Sequence, residues 1–153
     1  MQLFIFEAIV DGFGANETDL PTRLAQDPAQ AAVFTSQIID QIVDVLRSPD
    51  AGAALSVAGH ADRDDTVGLS HIQHLKIERE ASEKRMFSAL ATIHQLVQLQ
   101  EPTAPSDLNT LSFFDVHLRA PGAAVLVEDG ASVSEAQQKK NRRIQARLLV
   151  FKP

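Results

Sequence analysis

The sequence predicts an α+β fold, a two-layer sandwich in which two long helices cover one face of a mixed sheet. Three observations predict it. Two long segments repeat apolar residues at helical spacing. Short segments of β-branched, aromatic or alternating residues read as strands. The two kinds alternate along the chain as strand, helix, strand, helix, strand, short helix, strand, an order that implies some parallel pairing through right-handed crossovers.

Residues 3–10, Leu-Phe-Ile-Phe-Glu-Ala-Ile-Val, form the first expected strand. Asp11-Gly-Phe-Gly-Ala-Asn16 breaks it with two glycines. Thr18 to Pro28 is polar with two prolines and reads as loop, with at most a short helical turn. A helix then starts at Asp27-Pro28, an N-cap aspartate followed by proline at the first helical position. Ala31, Phe34, Ile38, Ile42, Val45 and Leu46 form its apolar face, and it stops near Arg47-Ser-Pro49.

Leu55–Ala58 is the next strand, and it runs into Gly59-His60-Ala61-Asp62. A buried strand that ends this way delivers a carboxylate to the rim of a sheet. Arg63 to Lys76 reads as a surface loop. The second helix is expected from Ile77–Ala81 to about Leu99, with Met86, Ala89, Leu90, Ile93, Leu96 and Val97 facing the core. Ser106–Leu111 turns once, Ser112–Arg119 has strand composition, and Ser132–Lys140 is a short helix capped by Ser132 or Ser134. Lys140-Asn-Arg-Arg-Ile144 opens the final alternating strand, Ile144–Phe151.

At 153 residues the natural expectation is one domain, 1–153. With no cysteine, disulfides, thiolate catalysis and cysteine-bound metals are excluded. A net charge of −6 argues against a nucleic-acid partner, although Lys139, Lys140, Arg142, Arg143 and Arg147 cluster near the end. No segment approaches the roughly 20 apolar residues of a membrane span. Met1–Phe6 lacks a basic leader region, so the chain is either cytoplasmic or a domain whose targeting segment has been removed.

His60, Asp62, Asp64, Asp65, His71 and His74 are metal-compatible side chains, but no spacing among them is a recognised ligand set. Ser70 and His71 are adjacent without a G-x-S-x-G context, so a hydrolase is not expected. No cofactor is implied.

Four stretches resemble the OmpA-like peptidoglycan-binding domain, the family of the C-terminal part of outer membrane protein A, the lipoprotein Pal and the flagellar stator protein MotB. Phe13-Gly-Ala-Asn16-Glu-Thr-Asp-Leu20 is similar to the family's F-x-x-N-x-x-x-[IL]. Val57-Ala-Gly-His-Ala-Asp62 is similar to V-x-G-H-[TA]-D. Ala81-Ser82-Glu-Lys-Arg85-Met86 is similar to L-S-x-x-R-A, and Asn141-Arg142-Arg143-Ile144 to N-R-R-V. The chain departs from the pattern at Arg63-Asp64-Asp65, where the family usually has glycine, and in longer segments at 20–31 and 62–85.

The resemblance implies a β-α-β-α-β-β sandwich, no enzymatic activity and a peptidoglycan stem peptide as partner, bound through diaminopimelate. It implies that Asp62 takes the ligand's ammonium and that Arg85 holds its carboxylate in a bidentate fork. Asn16 and Ala61 line the site, and a second arginine contact falls on Arg142 or Arg143. Other subunits of an envelope assembly are further implied partners, in the periplasm or cell envelope. Two alternatives stay open: Asp62 only caps a turn while Arg85 sits on the solvated face of its helix, or the domain has lost the ligand and serves as a protein-interaction module.

Overall fold

The computed structural model describes residues 1–127 and 133–153. Four strands form one sheet: β1 (Gln2–Val10), β2 (Gly52–Gly59), β3 (Phe114–Arg119) and β4 (Ile144–Lys152). Their order is β1-β4-β2-β3. β4 is antiparallel to both β1 and β2, whereas β2 and β3 are parallel. This is the mixed α+β sandwich that the element order predicts.

The register explains why a site forms at one end of the sheet. Val10 faces Ile144, Ile144 faces Gly59, and Ala58 faces Arg119. The ends of β1, β2 and β3 and the start of β4 therefore share one rim. The segments that leave this rim carry residues 11–19, 60–70 and 120–143.

Strand alternation assigns the two faces. Ile144, Ala146, Leu148 and Val150 of β4 are buried, as are Ala53, Leu55 and Val57 of β2 and Ala8 and Val10 of β1. They pack into one core with Phe34, Ile38, Ile42, Met86, Ala89 and Ile93 from the helices. Both long helical segments therefore lie on the same face. On the other face Leu3, Ile5 and Ile9 remain exposed.

The first long helix begins as its sequence says. Asp27 caps α2 (Pro28–Phe34) by accepting a hydrogen bond from the Gln30 amide at 3.1 Å, and Pro28 stands at the first helical position. The helix does not stay α-helical. Thr35–Ile39 is a π-helical turn before α3 (Asp40–Arg47). The extra residue in that wider turn lets both Ile38 and Ile39 be fully buried.

Two expectations are corrected. The proline-containing segment after Leu20 is a helix, α1 (Leu20–Gln26), capped by Asp19 through the Thr22 amide at 3.0 Å. Its prolines flank helices rather than break them: Pro21 lies in the first turn of α1 and Pro28 opens α2. The second long helix, α4, spans His71–Gln100 and begins before Ile77. Ser70 and Gln73 form a reciprocal capping box, with Ser70 Oγ accepting from the Gln73 amide at 3.3 Å and Gln73 Oε1 accepting from the Ser70 amide at 2.8 Å. Ile72, Leu75 and Ile77 are exposed, so the first two turns carry no core stripe to betray them.

The end of the chain follows the sequence more closely. A single 3-10 turn covers Leu108–Thr110, and β3 starts at Phe114. Ser134 caps α5 (Glu135–Asn141) in a second capping box with Gln137. Ser132, the other expected cap, lies outside the described residues.

Gly59 is where β2 and α4 come closest. A Cβ there would lie 2.0 Å from the Ser82 carbonyl oxygen and 2.6 Å from the Met86 amide nitrogen. Neither backbone atom can swing aside, so any side chain separates strand from helix. Gly59→Ala is expected to cost about 3 kcal/mol of unfolding free energy, measured by urea denaturation; a loss within error of zero would show that the contact relaxes freely.

Candidate functional site

A cavity of about 270 Å³ opens at the rim, between the 15–16 turn, the 61–66 segment, the first half of α4 and Arg142. It brings together Asn16, Ala61, Asp62, Arg85 and Arg142, five of the six residues singled out from the sequence. Asp64, Asp65, Arg63, Glu78 and Ala81 complete much of its wall.

Asp62 follows β2 by three residues and is half-buried. Its Oδ1 accepts a hydrogen bond from Asn141 Nδ2 at 2.8 Å. Asn141 is itself fully buried, and its Oδ1 accepts from the Val127 amide at 2.7 Å. The asparagine of the Asn-Arg-Arg stretch thus fixes the carboxylate of the Gly-His-Ala-Asp stretch, across the rim. Asp62 does more than cap a local turn, because its partner lies at the end of α5.

Arg85 is 1% exposed, so it does not sit on a solvated helix face. Its Nε donates to the Glu17 carbonyl at 3.0 Å, Nη1 to the His60 carbonyl at 2.9 Å and Nη2 to the Gly14 carbonyl at 3.4 Å. The guanidinium also lies over the Phe13 ring, 5.4 Å from its centroid. Burial, and then the nearby Arg142 charge, lowers its pKa to about 10, while Glu17 opposes the shift. It remains a cation at neutral pH. An arginine has one hydrogen on Nε; here that hydrogen is taken. The side-on edge, which needs Nε–H and one Nη–H together, is therefore closed to a bidentate fork. One hydrogen on each of Nη1 and Nη2 remains for an end-on contact.

Arg142 reaches the cavity with its guanidinium held by Glu135 Oε1 at 2.7 Å and Gln138 Oε1 at 3.4 Å, both on α5. The hydrogen bond from Arg142, aided by its charge, holds the Glu135 carboxyl below its usual range. Arg143 does not line the cavity. Its guanidinium donates to the carbonyls of Val125 and Asn141, each at 3.3 Å, and ties the loop to the start of β4. Adjacent residues entering a strand point apart, so only one of the two arginines can serve this cavity, and it is Arg142.

Glu78 is the wall residue that sequence reasoning missed. It is 8% exposed, and its Oε1 accepts from the Asp64 amide at 2.9 Å. With Ala81 and Arg85 it keeps the i, i+3, i+7 spacing of one helix face. That spacing is present in the sequence, but it falls at the expected helix boundary, before the apolar stripe begins. Asp64 Oδ2 lies 2.6 Å from His74 Nδ1, and a hydrogen bond from Thr66, ahead of the one from His74, lowers the pKa of Asp64 against the opposing effect of burial. Ser70 is a helix cap and His71 the first residue of α4. Among the described residues, no three or more His, Asp and Glu side chains converge on a common centre.

The cavity therefore carries fixed carboxylates at Asp62 and Glu78 and fixed guanidinium groups at Arg85 and Arg142. Such a wall suits a ligand with an ammonium and a carboxylate on one centre.

No family model matches the sequence, and no curated protein matches it significantly. Solved structures do. The chain is similar in fold to OmpA-like and MotB domains. One is the cell wall anchor of the T6SS from Pseudomonas aeruginosa, at 14% identity and a TM-score of 0.47, covering 96% of this chain and 82% of that one. Another is the OmpA-like domain of FopA1 from Francisella tularensis, at 13% and 0.44, covering 96% and 72%. A third is the C-terminal domain of Helicobacter pylori MotB, at 12% and 0.46, covering 94% and 85%.

Arg85→Ala strands three backbone carbonyls and is expected to destabilise the fold by about 4 kcal/mol, read from urea denaturation; retention of full stability would show that water replaces the guanidinium. His60 is 5% exposed, and burial, then the charges of Arg143 and Arg119, lowers its pKa from 6.5 to about 4. Its neutral form is the folded form, so its contribution to stability is complete above pH 6.5 and is lost as pH falls towards 4. The loss is on the order of 3 kcal/mol. His60→Gln should flatten the fall in stability across this window, and parallel pH profiles for the two proteins would refute the assignment.

Proposed function

We propose that the cavity binds the zwitterionic centre of a peptidoglycan stem peptide, diaminopimelate, without covalent chemistry. The chain acts as one domain, 1–153, that anchors an envelope protein or assembly to the cell wall from the periplasmic side. The observation that carries this reading is the convergence of Asn16, Ala61, Asp62, Arg85 and Arg142, from four separate stretches of sequence, on one cavity.

In this reading Asp62, oriented by Asn141, takes the ligand's ammonium. Glu78 adds a second carboxylate on the α4 side. The ligand's carboxylate meets the two remaining Nη hydrogens of Arg85 end-on, with Arg142 and Asn16 at its flank. A fixed carboxylate and a fixed guanidinium select an amino-acid centre over a plain amine or a plain acid, because each lone group leaves one buried charge without a partner.

One observation favours a second reading, a protein-interaction module without this ligand. Arg85 already holds three carbonyls, and an arginine so engaged is sufficient to build the rim without any ligand.

Calorimetric titration with a diaminopimelate-containing muropeptide separates the two. Binding is expected in the native protein, and Asp62→Asn, which can keep its contact with Asn141, is expected to weaken it at least about tenfold. A muropeptide with lysine in place of diaminopimelate lacks the second carboxylate and is expected to bind more weakly. No heat with any muropeptide would leave the interaction module as the surviving reading.

A further inference from the structure

The open face of the sheet carries a cavity of its own, about 260 Å³ in volume, that shares no wall residue with the one above. The strand register builds it. Ser56, Ala58 and His60 follow one another on the face of β2 turned away from the helices. Ala58 lies between Gln145 on β4 and Arg119 on β3. Ser56 lies beside Arg147. Small residues on the central strand make the floor, and long polar side chains on its two neighbours make the walls. Those neighbours are about 10 Å apart, twice the spacing of adjacent strands, which admits one small group between them.

The charge here is opposite to that of the whole chain. The net charge of the protein is −6. Around this cavity stand Arg119 and Arg147, with Arg143 close enough to depress His60. Among the described residues the nearby carboxylate is Glu7, which meets Arg147 at 3.3 Å and Gln145 at 3.5 Å. Arg119 is exposed, and its guanidinium forms no hydrogen bond or ion pair with any described residue. His60 lines the upper end, and neither of its buried ring nitrogens has a hydrogen-bond partner among the described residues. An orphaned buried ring of this kind destabilises the fold, so a group that satisfies it is bound with advantage.

We infer that this face carries a second site, for a small oxyanion, a carboxylate or a phosphoryl group, held by Arg119 and Gln145 with Arg147 completing the positive wall. The broad χ2 preference of histidine lets the His60 ring turn one N–H towards the anion. The site shares no wall residue with the rim cavity, and His60 touches the rim only through its backbone carbonyl, which Arg85 holds.

The test is a titration of the labelled full chain with sodium phosphate and, separately, sodium acetate at constant ionic strength, following the ring signals of His60 and the side-chain signals of Arg119 by NMR. Saturable shifts with a millimolar Kd are expected. Shifts with phosphate alone identify a phosphoryl site, with acetate alone a carboxylate site, and with both a general oxyanion site; each supports the inference. Arg119→Gln, a change on an exposed edge strand, should weaken binding about tenfold, while Asp62→Asn should leave it unchanged. Linear, non-saturating shifts, or the same Kd in Arg119→Gln, would overturn it, whatever the outcome with muropeptides.

Discussion

The guanidinium of Arg85 is the point on which the rim depends. Among the described residues it is the largest side chain sealed from solvent, and it bonds three carbonyls from two segments, tying both to its own helix. Gly14 and Glu17 belong to the turn after β1, His60 to the end of β2, and Arg85 itself to α4. A buried cation costs several kcal/mol unless it is well solvated by the protein. Three carbonyl dipoles and the face of Phe13 supply that solvation here. The turn after β1 is thereby fixed against the sheet, and the wall of the rim cavity is fixed with it.

Two close approaches make this arrangement possible. Gly59 lets α4 lie directly on β2, which brings Arg85 within reach of the His60 carbonyl. Gly122, with φ of +64°, turns the chain so that its amide donates to Ser82 Oγ at 3.0 Å and its carbonyl accepts from Ala61 at 2.9 Å. A side chain at φ near +60° is strained, so glycine suits this turn. Strand, helix and loop are therefore locked together within a few residues of Asp62. The carboxylate is held by structure rather than by chance, which is what a recognition group requires.

Much of the fold was legible from residue pattern. Alternation in Ile144–Phe151 gave the buried face of β4 residue by residue, and Asp27-Pro28 gave the start of α2. The misses have physical causes. Leu20–Gln26 is short and contains a proline, yet proline in a first turn lacks only a hydrogen bond that the helix never makes. The first two turns of α4 are set by the Ser70–Gln73 capping box and not by an apolar stripe, so periodicity is silent there. The π-helical turn at Thr35–Ile39 is a response to packing both isoleucines. Composition does not encode it.

For the site, the sequence by itself determined which chemical groups exist and in what order: a carboxylate after a strand, an arginine within a helix, an asparagine and two arginines before the last strand. Only the tertiary structure decided what each can do. It separated Arg142 from Arg143, because neighbours entering a strand diverge. It closed the side-on edge of Arg85, because backbone carbonyls 68 to 71 residues away in sequence reached it first. It brought Glu78 to the wall and His60 to the opposite face of the sheet. Hydrogen bonds and burial between distant segments are set by how layers pack, and local pattern carries no record of which distant atom will occupy a donor.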